Sequence, residues 1–349
     1  MSTIPSSQLG VFIESAAPSY QVKELAVAKP SSGQVLIKIH AVAINPTDWK
    51  LVKFGVAKPG FGIGNDFAGE VIALGSDVKG FSVGDKVAGW VHGGFQETQF
   101  AFQQYLATRS DLLMKLSDNV SYEDAATIPV ASMTAAIGMN RLVQFPQRPP
   151  LGKTILVSGG ASSVGMFATQ FASLTGMNVI ATASPKNFDL VKSLGASCVI
   201  DYHAPDAVQQ IVDAAGPAGV DYAYDAISFG DSIKLVSEVV KAKVGGARKV
   251  AAVLPVPPAA LDPLVEYHPV GIQTIFNVPS QFLGVNIPPI PADYDTALVT
   301  YRTLSDWLSK GIFKANPVTL REGGIKAIPE GIAHMMSGQV SGSKLVFKV

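Results

Sequence analysis

The sequence predicts an α/β chain in two parts, an irregular β-domain and a doubly wound parallel sheet. Three observations predict it. Short alternating apolar segments at 35–44, 67–73 and 86–91, parted by Gly, Pro and Asp turns, dominate the first 125 or so residues. Apolar strand-like runs at 154–157, 178–183, 198–201, 221–225 and 249–254 are then spaced by helix-length segments, as a parallel sheet with crossover helices requires. Finally, 349 residues are too many for one ordinary domain and suit two.

Between these regions the texture changes. Helical patterns are expected at 123–127 and 132–142, followed by a Pro-rich linker at 145–150. The tract 250–265 is broken by Pro255, Pro257, Pro258 and Pro263 and reads as a loop with one strand at its start. Beyond about residue 285, a helix at 296–310 precedes short strands ending at 344–349, which are expected to return to the first domain. The expected boundaries are 1–125, completed by 287–349, for the β-domain and 126–286 for the parallel sheet.

Composition narrows the partners. Hydrophobic residues make up 48% and charged residues 15%, and Lys+Arg balance Asp+Glu at 27 each, so no overall basic field attracts nucleic acid or anionic lipid. Small molecules are the expected partners. Cys198 is the only cysteine, which excludes an intramolecular disulfide and a Cys-clustered metal site. The opening residues lack the basic segment and apolar core of a signal peptide, and no uninterrupted apolar run reaches membrane-spanning length. A cytoplasmic protein is the expectation.

The segment Val157-Ser158-Gly159-Gly160-Ala161-Ser162-Ser163-Val164-Gly165 joins a strand-like run to a helix-like one at 166–174. Gly160-x-Ser162-x-x-Gly165 keeps the first and third glycines of a dinucleotide-binding turn, for the tight turn and for close helix–strand packing, with Ser162 in the middle place. An ordinary βα loop is the alternative. A site for NAD would put an acid at the end of the next strand to bind the ribose 2′-hydroxyl. This chain reads Ala183-Ser184-Pro185-Lys186-Asn187, which favours NADPH; a solvated lysine at a helix start is the other reading of Lys186.

Five motifs in order then carry a family resemblance over nearly the whole chain: Val42-Ala43-Ile44-Asn45-Pro46-Thr47-Asp48-Trp49-Lys50; Gly64-Asn65-Asp66-Phe67-Ala68-Gly69-Glu70-Val71; Phe81-x-x-Gly84-Asp85-Lys86-Val87; the Gly160 turn; and Val340-Ser341-Gly342-Ser343-Lys344-Leu345-Val346. The chain resembles the medium-chain dehydrogenase/reductase superfamily. It looks most like the fungal trans-acting enoyl reductases of polyketide pathways and relatives labelled zinc-binding oxidoreductases, with quinone oxidoreductases further away. The resemblance implies a GroES-like β-domain and a Rossmann domain, a place in secondary metabolism, and an acyl-carrier or polyketide synthase partner.

No metal is expected. Zinc alcohol dehydrogenases of this superfamily hold their catalytic ion with two cysteines and a histidine, where this chain has Asn45, Asn65 and Val130-Ala131. Asp66 alone does not make the three-ligand open site of zinc catalysis. The histidines, His40, His92, His203, His268 and His334, lack ligand spacing. Without a Lewis acid, alcohol oxidation recedes and reduction of an activated C=C bond, in an enoyl thioester or enone, becomes the leading expectation.

Matching by resemblance assigns Asn45, Pro46, Thr47 and Asp48 to the cofactor or active-site wall, with Thr47 and Lys50 as the catalytic candidates. Lys50 is alternatively a surface lysine, and Asp48 a cap for a short helix starting at Trp49. Ser162, Ser163, Val164 and Gly165 are assigned to the pyrophosphate, where free N–H groups of a helix start favour an anion. Ser184, Pro185, Lys186 and Asn187 are assigned to the 2′-phosphate, and Tyr202 to the adenine edge or that phosphate. Val253, Leu254, Leu283, Gly284, Val285, Val340 and Ser341 complete the cofactor set. Ala131, Ser132, Met133, Thr134, Ala135, Ala136, Ile137 and Gly138 resemble the family's substrate-pocket segment, and close helix packing explains the same small residues. Three other readings stand beside the enoyl reductase: an NADPH quinone oxidoreductase, an NADPH-binding protein with little catalysis and, last, a zinc alcohol dehydrogenase. Monomer and homodimer are both open.

Overall fold

A computed structural model describes residues 4–14, 19–146, 152–282 and 285–349. The chain divides into two compact units, Met1–Val130 with Val278–Pro289 and Tyr301–Val349, and Ala131–Asn277 with Ile290–Thr300.

The first unit is built around the strand Gln34–Ala43. Val35, Ile37, Ile39 and Val42 along it are fully buried, and its ladder with Asp66–Leu74 shifts register twice, between Leu36/Ile37 and Ile39/Ala41. Such irregularities bend a strand and increase its twist, which curves the sheet. Lys86–Trp90 and Leu113–Lys115 extend the sheet beyond Asp66–Leu74, and Tyr105–Arg109 pairs with Gln34–Ala43. On the other side, Lys344–Lys348 runs antiparallel to Gln34–Ala43, with Val346 opposite Ala43. Two features escape the sequence pattern. The hairpin Ser7–Ile13 with Tyr20–Ala26 is masked by a buried polar residue: Gln8 donates to Gln103 Oε1 and the Tyr105 carbonyl, both at 3.0 Å, so the alternation is broken by an amide. The helix Ile328–Met336 falls where short strands were expected, its period hidden by Pro329 and Gly331.

The second unit holds a six-stranded parallel sheet, in the order Cys198–Asp201, Asn178–Ala183, Thr154–Ser158, Tyr222–Asp225, Lys249–Ala252, Glu266–Pro269. The chain enters at Thr154–Ser158, winds outward to one side and then to the other. The order therefore reverses between Thr154–Ser158 and Tyr222–Asp225, the switch point at which open α/β sheets bind ligands beyond the carboxyl ends of their strands. All five residues of Thr154–Ser158 are buried, as a strand covered on both faces demands. The helix Ser163–Leu174 is buried without a break from Gly165 to Ala172, and Ser232–Ala242 buries the stripe Ile233, Val236, Val239, Val240. The strand Glu266–Pro269 carries no apolar run and was not expected.

The late helix spans Pro291–Ser309, starting earlier than its apolar pattern. No helix among the described residues is long and apolar enough to cross a membrane.

Candidate active site

The glycine turn lies at the carboxyl end of Thr154–Ser158, at the switch point. The residue with a left-handed backbone is Gly159 (φ 76°), which corrects the sequence expectation that Gly160 makes the tight turn. Gly160 instead sits close to Ala181 and Val191, its N–H donating to the Thr182 carbonyl at 2.7 Å. A Cβ on Gly165 would lie 2.1 Å from the Gly159 carbonyl oxygen, so the third glycine permits the helix to approach the turn. The structure also explains Ser162 in the middle place. It is the N-cap of Ser163–Leu174, its Oγ accepting from the Gly165 N–H at 3.0 Å. Ser163 and Val164 follow in the first turn, where the helix dipole and amide groups favour an anion.

Asn178–Ala183 ends beside this turn. Ser184 precedes a single 3-10 turn, Pro185–Asn187, and its Oγ lies 3.4 Å from the Tyr202 hydroxyl. Tyr202 is 46% exposed, so it is not a packing residue. Lys186 is exposed and makes no ion pair among the described residues. The nearest strand-end carboxylate, Asp201, stands opposite Ala183 and accepts from the His203 N–H at 3.0 Å. Val253 and Leu254 leave the sheet half-buried, the Val253 N–H donating to Ser228 Oγ at 2.9 Å.

The segment from Ala131 to Gly138 lies in the helix Pro129–Val143 and is buried throughout. Tyr224 packs where a Cβ on Gly138 would sit, and its hydroxyl donates to the Thr134 carbonyl at 2.7 Å. At Gly138, then, the absence of a Cβ admits a neighbouring ring.

In the first unit, Asn45 caps the helix Pro46–Lys53, which starts three residues before the expected Trp49. Asp48, at the third helical position, accepts from the Asn45 N–H at 2.6 Å, the reciprocal arm of a capping box. Its other oxygen accepts from Asn65 Nδ2. Asp48 is fully buried, and that desolvation pushes its carboxyl up to about 7 against the pull of the Asn45 and Asn65 bonds, with the Asp66 charge raising it further and Lys344 lowering it. Asp66, also fully buried, spends both oxygens. Oδ1 accepts from the Val130 N–H at 2.7 Å; Oδ2 accepts from Asn45 Nδ2 at 2.9 Å and from the Lys344 ammonium.

Lys344 is 1% exposed and also donates to the Thr127 carbonyl at 3.2 Å. Sequence reasoning gave it no role. It shares an alternating face with solvent-exposed Lys348, so the pattern held no signal to set it apart. Thr47 is half-buried, and its hydroxyl takes no partner among the described residues. The Lys50 ammonium lies 5.8 Å from the Trp49 ring centroid, and burial lowers its proton affinity. His92, missed as well, follows the strand paired with Asp66; burial pulls its imidazole down to about 4, and it stacks on Phe95 with centroids 3.9 Å apart.

Val340 is half-buried and Ser341 exposed, both ahead of Lys344–Lys348. Val285 opens the strand Val285–Ile287, whereas Leu283 and Gly284 lie outside the described residues.

A doubly wound sheet with a glycine turn at its switch point, joined to a β-sheet unit, defines a Rossmann-type oxidoreductase. Comparison with known proteins agrees. Residues 31–118 match the family described as Alcohol dehydrogenase GroES-like domain, and residues 163–259 that described as Zinc-binding dehydrogenase. The chain is 34% identical to a zinc-type alcohol dehydrogenase-like protein of Schizosaccharomyces pombe, covering 99% of each. It is 33% identical to a trans-enoyl reductase of Alternaria alternata, covering 94% of this chain and 95% of that one. Among solved structures, an alcohol dehydrogenase superfamily protein from Novosphingobium aromaticivorans superposes with a TM-score of 0.81 at 25% identity, covering 98% of this chain and 99% of that one. The chain belongs to the medium-chain dehydrogenase/reductase superfamily.

Proposed function

We propose that this chain is an NADPH-dependent, zinc-independent enoyl reductase that saturates the C=C bond of an α,β-unsaturated carbonyl, presented as a carrier-borne enoyl thioester. The observation that carries the reading is the engagement of Asp66. Its two oxygens are taken by Val130, Asn45 and Lys344, and Asn45 and Asn65 stand where soft ligands would be needed. These residues do not fit a zinc ion, for which three anionic or imidazole ligands are wanted.

The residues of the second unit fit a 2′-phosphorylated dinucleotide. Ser162 and the first turn of its helix offer N–H groups to a pyrophosphate. The exposed Lys186 ammonium, with Ser184 and Tyr202 beside it, offers charge and hydroxyls to a 2′-phosphate that an acid would repel. When bound, the reduced nicotinamide supplies a hydride for the β-carbon of the conjugated carbonyl. Thr47 and Lys50 are then the donors available to the carbonyl oxygen as negative charge grows on it. A polyketide enoyl intermediate suits this reading, since the relatives that support it include a trans-enoyl reductase.

The test is NADPH oxidation with a panel of enoyl thioesters, enones and quinones, with and without a metal chelator. Saturated carbonyl product and indifference to chelator are expected. Activity lost to chelator, or a quinol as the only product, would sink the proposal.

A further inference from the structure

We propose that Lys344 is a positioning residue for the reaction: through Asp66 its ammonium holds the Asn45–Asp48 turn and the Val130 backbone in one arrangement, doing internally the organising work of a metal ion. This rests on the reading of Asn45, Thr47 and Lys50 as the hydride site.

Lys344 and Asp66 are both removed from water, one at 1% and the other at 0% exposure. A buried ion pair is a poor way to gain stability, because desolvation of both ions offsets their attraction, and apolar side chains of similar volume often do as well or better. What a carboxylate adds is direction. Asp66 accepts from three groups on three separate elements: Val130 N–H at the start of a helix, Asn45 Nδ2 at the cap of another, and Lys344 Nζ on the returning strand. Asn45 in turn donates its N–H to Asp48, and Asp48 accepts from Asn65, so the network reaches both ends of the turn that carries Thr47. Only the lysine brings a positive charge into direct contact with the hub. Remove it and Asp66 becomes a buried anion with neutral donors alone. The Asn45 amide, which ties the Asp66 carboxylate itself to the turn, would then be free to exchange partners.

The experiment compares Lys344→Met with Asp66→Asn in one chain, which removes both charges together, and Lys344→Arg, which keeps the cation. In the cofactor-free protein, amide hydrogen exchange over residues 43–52 is expected to speed at least tenfold in the double variant, while the strand Asn178–Ala183 exchanges as in the parent. With NADPH and crotonyl N-acetylcysteamine thioester, kcat is expected to fall at least tenfold with KM changed less than threefold, and Lys344→Arg to restore kcat to within threefold. If exchange and kcat in the double variant stay within twofold of the parent, the proposal is wrong. A rise in exchange spread over the whole first unit, with no recovery in Lys344→Arg, would mark a merely structural pair and also overturn it. A parent protein that turns over no enoyl thioester would defeat the proposed function, and the exchange measurement, which needs neither cofactor nor substrate, would still decide the role of Lys344.

Discussion

The glycine turn of the second unit and the polar cluster of the first are built by opposite means. The turn is local: Gly159, Gly160, Ser162 and Gly165 lie within seven positions, and each has a job that its neighbours set. The cluster is assembled from afar, its central ion pair joining residues 278 positions apart. Local geometry leaves a spacing that can be read; remote geometry leaves separate residues with no common signature. The cluster also carries its charges in the dry interior, while Lys186, in the 3-10 turn after the next strand of the second unit, stays in water.

That contrast breaks most easily at the turn. Gly165→Ala places a methyl against the Gly159 carbonyl oxygen, where neither atom belongs to a side chain that can swing away. We expect a loss of at least about 2 kcal/mol in denaturant unfolding, of the order that overpacking costs, together with loss of measurable dinucleotide binding. Unchanged stability and affinity would mean that the turn is not set by its own contacts.

The cluster is sharpened by pH. A carboxyl lifted to about 7 from 3.8 holds its proton in the folded chain while the unfolded chain has released it. Between those values the folded state binds more protons, so the contribution of Asp48 to stability is full below about 4, falls as pH rises, and is gone above about 7. Asp48→Asn removes that titration. The stability of the parent relative to this variant is expected to drop by on the order of 2 kcal/mol between pH 5 and pH 8, measured by urea melts at each pH. A flat difference would show that Asp48 is ionised in the fold throughout.

The smallest effect tests the exposed end of the comparison. Lys186→Ala is expected to weaken NADPH binding about tenfold, on the order of 1.4 kcal/mol, with NADH binding unchanged and the NADPH loss shrinking as salt is added. Equal losses for both dinucleotides would remove Lys186 from the 2′-phosphate.

Much of the fold was legible because burial sets the period. The five expected strands of the parallel sheet recur at 154–158, 178–183, 198–201, 222–225 and 249–252, each a short apolar run between helix-length segments. What the pattern hid was polar or interrupted. Buried Gln8 disguises the first strand, Pro329 and Gly331 the helix at 328–336, and the sixth strand, Glu266–Pro269, has a charged residue, a tyrosine, a histidine and a proline. In the site, Ser162 was visible as a departure from a glycine pattern, but its function as a cap required the Gly165 N–H to be seen beside it. Asp48 was expected to cap a helix starting at Trp49; Asn45 is the cap instead, and Asp48, at the third helical position, accepts from the Asn45 N–H. Lys344 could be read only from its partner.

The antiparallel pairing of Lys344–Lys348 with Gln34–Ala43 also sets an order of events during synthesis. Asp66 leaves the ribosome 278 residues ahead of the ammonium that will neutralise it, an interval of about 14–56 s at translation rates of about 5–20 residues per second. Over that interval Tyr105–Arg109 covers Gln34–Lys38, and only Ala41–Ala43, at the end of that strand, keeps an open edge. The strands of the second sheet, from Thr154 to Pro269, are all available before then. All six strands of the second sheet can therefore pair before the last strand of the first sheet has been made.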